Sequence, residues 1–122
     1  MKVFLSGGTH GDWQERVMLA LKEEQVEFFD PRTLLDHPMR RIAETERHWL
    51  DLCDCLLFYF ESSNPSGLGS AFEVGYCVAR GKPAIYVDEK RTSHSEWLGY
   101  HCTVADTLEG GVASIRQLIR GR

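Results

Sequence analysis

Residues Asn64–Pro83 read N-P-S-G-L-G-S-A-F-E-V-G-Y-C-V-A-R-G-K-P, preceded by C-L-L-F-Y-F (Cys55–Phe60) and followed by A-I-Y-V (Ala84–Val87). The flanking runs are apolar at successive positions, as strands covered on both faces of a parallel sheet must be. Between them, Gly67 and Gly69 bracket a tight turn, Ser70 opens a helix, and Arg80-Gly81-Lys82-Pro83 ends it, since glycine and proline stop helices at that end. The result is a strand–helix–strand crossover, which is right-handed in nearly all known sheets. Gly75 and Ala79 are expected to let its helix lie close on the sheet.

Outward from this unit the same alternation continues. Lys2–Leu5 (K-V-F-L) is a short strand ending at Ser6-Gly7-Gly8. Asp12 is expected to cap the next helix, with Glu15 three residues on completing a capping box. Val26–Phe29 is a second strand, stopped by Asp30-Pro31, and Arg32–His37 reads as a loop. Pro38 suits the first turn of a second helix, with Ile42, Trp49 and Leu50 on its apolar side. After Ala84–Val87 come a polar loop (Asp88–His94), a helical turn (Ser95–Tyr100), a weak strand (Cys102–Ala105) and a closing helix (Val112–Arg120). The chain of 122 residues is expected to form one domain, 1–122, of a size that one core serves. Its class is α/β: a three-layer sandwich whose five-stranded parallel sheet has the flavodoxin/Rossmann-like order 2-1-3-4-5.

Composition narrows function. Lys and Arg number 14 against 18 Asp and Glu, a net charge of −4 with pI near 5.7. That balance excludes a general nucleic-acid binder, which needs a basic face. No apolar run nears the length of a membrane span, and Met1-Lys2 leads straight into a strand, so a cytoplasmic protein is expected. Cys53, Cys55, Cys77 and Cys102 form no C-x-x-C pair and read as buried thiols, with Cys53 and Cys55 on one side of a strand. The five histidines lack metal spacing, and neither metal nor cofactor is expected. Tyr59 and Phe60 read as core, and Asp54 as a strand-edge hydrogen-bond acceptor.

In sheets of this order, ligands bind beyond the carboxyl ends of the strands where the order reverses, between strands one and three. Both glycine-rich turns, Ser6–Gly11 and Ser66–Gly69, fall there. The first, with Gly7, Gly8 and Thr9, suits a phosphate or a sugar through its backbone amides. It matches neither the dinucleotide fingerprint nor the P-loop. Glu73 lies one turn inside the crossover helix. Ser70-x-x-Glu73 has the spacing of a capping box, and an ionised carboxylate at a helix N-terminus is also suited to attack an anomeric carbon. Glu46, beside Trp49 and Leu50 on the second helix, suits either a solvated face or a general acid.

Three segments carry a family resemblance: K-V-F-L-S-G-G, E-R-H-W-L-D-L-C-D-C-L-L-F-Y, and above all G-S-A-F-E-V-G-Y-C-V-A-R-G-K-P. The chain resembles the nucleoside 2-deoxyribosyltransferases and their 2′-deoxynucleoside 5′-phosphate N-hydrolase relatives. The resemblance makes Glu73 the nucleophile of a covalent deoxyribosyl intermediate, and puts Glu46 where the family carries an aspartate that handles the base proton. Phe4 stands where the family usually has a tyrosine that steadies the nucleophile. Ser95 matches a residue that reaches a neighbouring subunit's site, and Trp97 an apolar position beside it. Ser66 falls near a hydrolase serine that meets the 5′-phosphate, and Gly67, Gly69 and Ser70 complete the substrate-binding turn. The implied activity is transfer of a deoxyribosyl group between bases, with hydrolysis or nucleotide sensing without turnover as alternatives. The implied partners are a small nucleoside or nucleotide and further copies of the chain, in a homodimer or larger homo-oligomer.

Overall fold

The computed structural model describes residues 1–121. Five strands and five helices alternate: β1 (Lys2–Gly7), α1 (Trp13–Ala20), β2 (Glu27–Phe29), α2 (Met39–Leu52), β3 (Cys55–Phe60), α3 (Leu68–Ala79), β4 (Ala84–Asp88), α4 (Ser93–Gly99), β5 (Thr103–Ala105) and α5 (Leu108–Arg120). The strands form one sheet in the order β2-β1-β3-β4-β5, every neighbouring pair parallel. The α/β sandwich and the strand order expected from the sequence are therefore observed. Among the described residues no helix is long and apolar enough to cross a membrane.

Alternation along the strands divides the core into two layers. Val3 and Leu5 face α1 and α5 with Leu57, Ile85, Val112 and Ile115. Phe4 faces the other way, toward Leu50 of α2, Val74 and Cys77 of α3 and Leu98 of α4, with Phe29, Phe58 and Tyr86. Period-two alternation requires this, because successive side chains leave opposite faces of a strand. It also puts Ser6, two residues beyond Phe4, on the α2–α3 face at the carboxyl end of β1.

Several local expectations are corrected. Asp12 sits at the N-cap of α1, but its side chain makes no capping bond; Glu15 pairs instead with Arg32, 3.4 Å away. The loop expected over Arg32–His37 contains a 3₁₀ turn, Pro31–Leu34, capped by Asp30. α3 opens at Leu68, not Ser70, behind Gly67 in the left-handed conformation, so the Ser70–Glu73 capping box does not form. Gly75 and Ala79 face solvent, and the buried face of α3 is Ser70, Glu73, Val74 and Cys77. α4 begins at Ser93, and α5 begins four residues before Val112 because Thr107 caps it. Cys53 and Cys55 lie on opposite sides of the sheet; Cys53 instead approaches Cys77, Sγ to Sγ 4.0 Å, both as free thiols. Asp54 accepts the Lys2 amide at 2.7 Å, the strand-edge bond expected of it. Tyr59 is core as expected, whereas Phe60 is only half-buried.

Candidate active site

The order reverses at β1 and β3, and the turns after these strands wall a cavity of about 330 Å³. Local chemistry shapes both turns. After β1, the Gly8 carbonyl accepts from Trp13 Nε1 and Gln14 Nε2, both at 2.9 Å, which pins the turn to α1. Gly7 has φ +149°, and a Cβ there would lie 2.6 Å from the Tyr59 carbonyl oxygen. After β3, the Asn64 side-chain oxygen accepts the amides of Ser66 and Gly67 at 3.1 and 3.2 Å, and Ser66 Oγ accepts the Leu68 amide. Gly67 has φ +71°, and a Cβ would lie 2.9 Å from the Phe60 ring. Only glycine meets both demands without strain. The Gly67 bend aims the N-terminus of α3 at the cavity, where backbone amides and the helix dipole favour an anion or a developing negative charge.

Two carboxyl groups enter this cavity, Glu73 from α3 and Glu46 from α2. Helical side chains tilt toward the N-terminus of their helix, so Glu73, one and a half turns inside α3, reaches back beneath the turn. It is buried, and Ser6 Oγ donates to its Oε1 at 2.6 Å. Burial pushes its pKa far above the usual carboxylate range; Glu46 pushes the same way, as hydrogen-bond partner and as like charge, while the Ser6 hydroxyl opposes them. Two carboxyl groups lining one cavity cannot both stay ionised at low cost, which favours the protonated form of the buried Glu73. Glu46 is half-exposed. One anion and one proton side by side can form a bond to an electrophilic carbon while protonating a leaving group. Among the described residues no three His, Cys, Asp or Glu side chains gather as a metal site.

Of the residues singled out in the sequence, Gly7, Gly8, Thr9, Ser66, Gly67, Gly69 and Ser70 line the cavity together with Glu46 and Glu73. Phe4 does not line it: the ring is fully buried and packs on Phe29 with centroids 4.8 Å apart. Ser95 and Trp97 line a second cavity of about 470 Å³, walled by Phe58, Phe60, Tyr86 and Leu98. The two cavities share Ser66, Gly67 and Leu68. Ser95 Oγ accepts the Thr92 amide at 2.8 Å and Thr92 Oγ1 accepts the Ser95 amide at 3.1 Å, closing a capping box on α4, while Trp97 is exposed. Sequence reasoning missed Ser6 as a partner of Glu73; the signal was its strand parity with Phe4. It also left His10 and Asn64 unassigned, although both line the cavity.

Comparison with known proteins gives a consistent picture. A family model described as nucleoside 2-deoxyribosyltransferase like matches residues 1–91. That span includes both glycine-rich turns and both carboxylates, and it excludes Ser95 and Trp97. No curated protein sequence matches significantly. Among solved structures, a 2-deoxyribosyltransferase from Bacillus psychrosaccharolyticus aligns with TM-score 0.70 and 16% identity, over 89% of this chain and 88% of that one. A 2-deoxyribosyltransferase from Leishmania mexicana aligns with TM-score 0.64 and 23% identity, over 88% of this chain and 75% of its own. A CMP N-glycosidase from Clostridium botulinum aligns with TM-score 0.66 and 15% identity, over 97% and 99%. At these identities the structures establish a shared fold.

Proposed function

The chain belongs to the nucleoside 2-deoxyribosyltransferase-like family, and from that membership we propose that it cleaves the N-glycosidic bond of a 2′-deoxynucleoside or its 5′-monophosphate and passes the sugar to another base. The observation that carries this reading is the pair of carboxyl groups, Glu73 and Glu46, that line one cavity at the sheet's switch point.

In the first step the proton held at Glu73 passes to Glu46, and the freed carboxylate oxygen of Glu73 bonds to C1′ as the bond from C1′ to the base nitrogen breaks. The electron pair of that bond leaves with the base, which takes that proton from Glu46. The result is a glycosyl ester on Glu73 and a Glu46 carboxylate. A second base then attacks C1′ through nitrogen, Glu46 takes up the proton that base loses, and Glu73 is released as carboxylate. Proximity of the two groups supplies much of the rate, because acid and nucleophile are already placed. Water in place of the second base gives hydrolysis by the same route. Thr9, Ser66, Ser70 and the first amides of α3 hold the sugar end of the substrate, where amides and hydroxyls suit a 5′-hydroxyl or phosphate. Following the family resemblance, we assign Ser95 and Trp97 to the cavity of a neighbouring copy in a homo-oligomer; in their own chain both line the adjoining cavity.

The experiment is base exchange. Deoxynucleosides and deoxynucleoside monophosphates are incubated with and without a free base, and the products are separated by chromatography. New deoxynucleoside appearing only when free base is present supports transfer. Free base and free sugar at equal rates under both conditions replace transfer by hydrolysis. Tight binding of a nucleotide that stays intact through long incubation overturns the enzymatic reading.

A further inference from the structure

Ser6 stands at the carboxyl end of β1, fully buried on the face covered by α2 and α3. Its hydroxyl donates to Glu73 Oε1 at 2.6 Å. The bond spans 67 positions in the chain, so it ties the first strand of the sheet to the reactive side chain of α3.

We propose that Ser6 is the positioning residue of the nucleophile: its hydroxyl holds Oε1 of Glu73, leaving Oε2 as the oxygen that bonds to the sugar. The proposal rests on the reading of Glu73 as nucleophile. A glutamate has three side-chain torsions, and freezing them for an in-line attack costs entropy that a free side chain must supply in every turnover. α3 fixes the Cα of Glu73, and Ser6 fixes the far end, so the carboxylate waits in one pose. The same hydroxyl favours the charged form that attack requires. The other titratable groups around Glu73 are Glu46 from α2, His10 from the turn after β1, and Cys77 one turn further along α3. Burial and Glu46 both favour the protonated form of Glu73, and Ser6 is the contact that opposes them. Phe4, two residues earlier on the same face of β1, carries no polar atom and lies wholly in the core.

A hydroxyl that merely satisfied itself in the core would affect stability alone, so the test needs readouts that such a role leaves still. Ser6→Ala and Ser6→Thr are compared with the wild type by steady-state kinetics across pH, and the Glu73 carboxyl is followed by carbon-13 NMR titration, with Glu73→Gln identifying its signal. In Ser6→Ala, kcat is expected to fall about 10–100-fold with KM changed less than about 3-fold. The acidic limb of the pH profile and the carboxyl midpoint should both rise by about one unit. Ser6→Thr keeps a donor and suits a strand, so it should recover most of the activity. Ser6→Ala kinetics within about 2-fold of wild type, or an unmoved carboxyl midpoint, overturns the proposal. If Ser6→Ala does not fold, Ser6→Thr and Ser6→Cys supply a strong and a weak donor, and equal midpoints in the two overturn it as well. The titration needs no substrate: a wild type that turns over no nucleoside refutes the functional reading, while the NMR midpoint still decides the role of Ser6.

Discussion

The two helices that deliver the carboxyl groups are built differently. α3 approaches the cavity end-on, behind a left-handed glycine, and Glu73 hangs beneath its first turns with almost no solvent and a hydroxyl on Oε1. α2 approaches side-on. It has no side-chain cap, and Glu46 stands half-exposed on the border between its apolar face and its charged face. The difference suits two identical side chains to the two different tasks proposed for them. A nucleophile must be held in one pose and kept from water, whereas a proton donor must exchange its proton with solvent or product between turnovers. The buried, hydrogen-bonded group suits bond formation, and the half-exposed one suits the traffic of protons.

The largest expected effect comes from breaking the buried side. Glu73→Gln keeps shape and hydrogen bonding but removes the oxygen nucleophile, so base release should fall by about four orders of magnitude or more. Mass spectrometry of the wild type, quenched during turnover, should find the sugar on the peptide that contains Glu73, and the variant should show no adduct. A Glu73→Gln protein that turns over at even one tenth of the wild-type rate ends the comparison as drawn.

Glu46→Gln should cost less, about 10²–10³-fold in kcat, the lower part of the range for a general acid. The loss should depend on the leaving group. A base that departs readily without protonation needs little help, so the variant should approach wild-type rates on nucleosides of strongly electron-poor bases. An equal loss on every base assigns Glu46 to substrate positioning and leaves the proton to water.

This contrast was only half legible in the sequence. The strand order followed from the doubly apolar runs at Cys55–Phe60 and Ala84–Val87, because a parallel sheet covered on both faces leaves few other solutions. Glu73 and Glu46 stood out through motif and spacing, and both reach the cavity. Ser6 did not stand out, because a strand-end serine has no pattern of its own; what gives it meaning is a contact with a residue 67 positions away. The capping box assigned to Ser70 and Glu73 failed for a related reason. Gly67 starts the helix earlier than a serine-based cap would, which moves Ser70 inside it, and spacing rules carry no information on which of two adjacent signals wins. Ser95 shows the converse: its box with Thr92 does form, although the sequence drew attention to it only by family resemblance.

The smallest expected effect concerns stability and separates the two carboxylates without any substrate. Folding raises the pKa of Glu73 above its ordinary value of 4.5, first by burial and then through Glu46. The folded chain therefore binds a proton that the unfolded chain has released. The stability this confers is complete below pH 4.5 and is lost as pH rises toward the raised folded value. Glu73→Gln is neutral at every pH, and its amide can still donate to Glu46. Its stability should match the wild type near pH 4.5 and exceed it increasingly above, by about 1–3 kcal/mol at pH 8. For a domain of this size that is about 3–10 °C. Glu46→Gln acts on the same group from outside. It removes the like charge beside Glu73 but not the burial, so its pH slope should lie between those of the wild type and Glu73→Gln. Thermal melts of the three proteins at pH 5 to 9 measure all three slopes. Parallel curves for wild type and Glu73→Gln would mean that Glu73 carries no held proton, and the asymmetry between α3 and α2 would then lie in geometry alone.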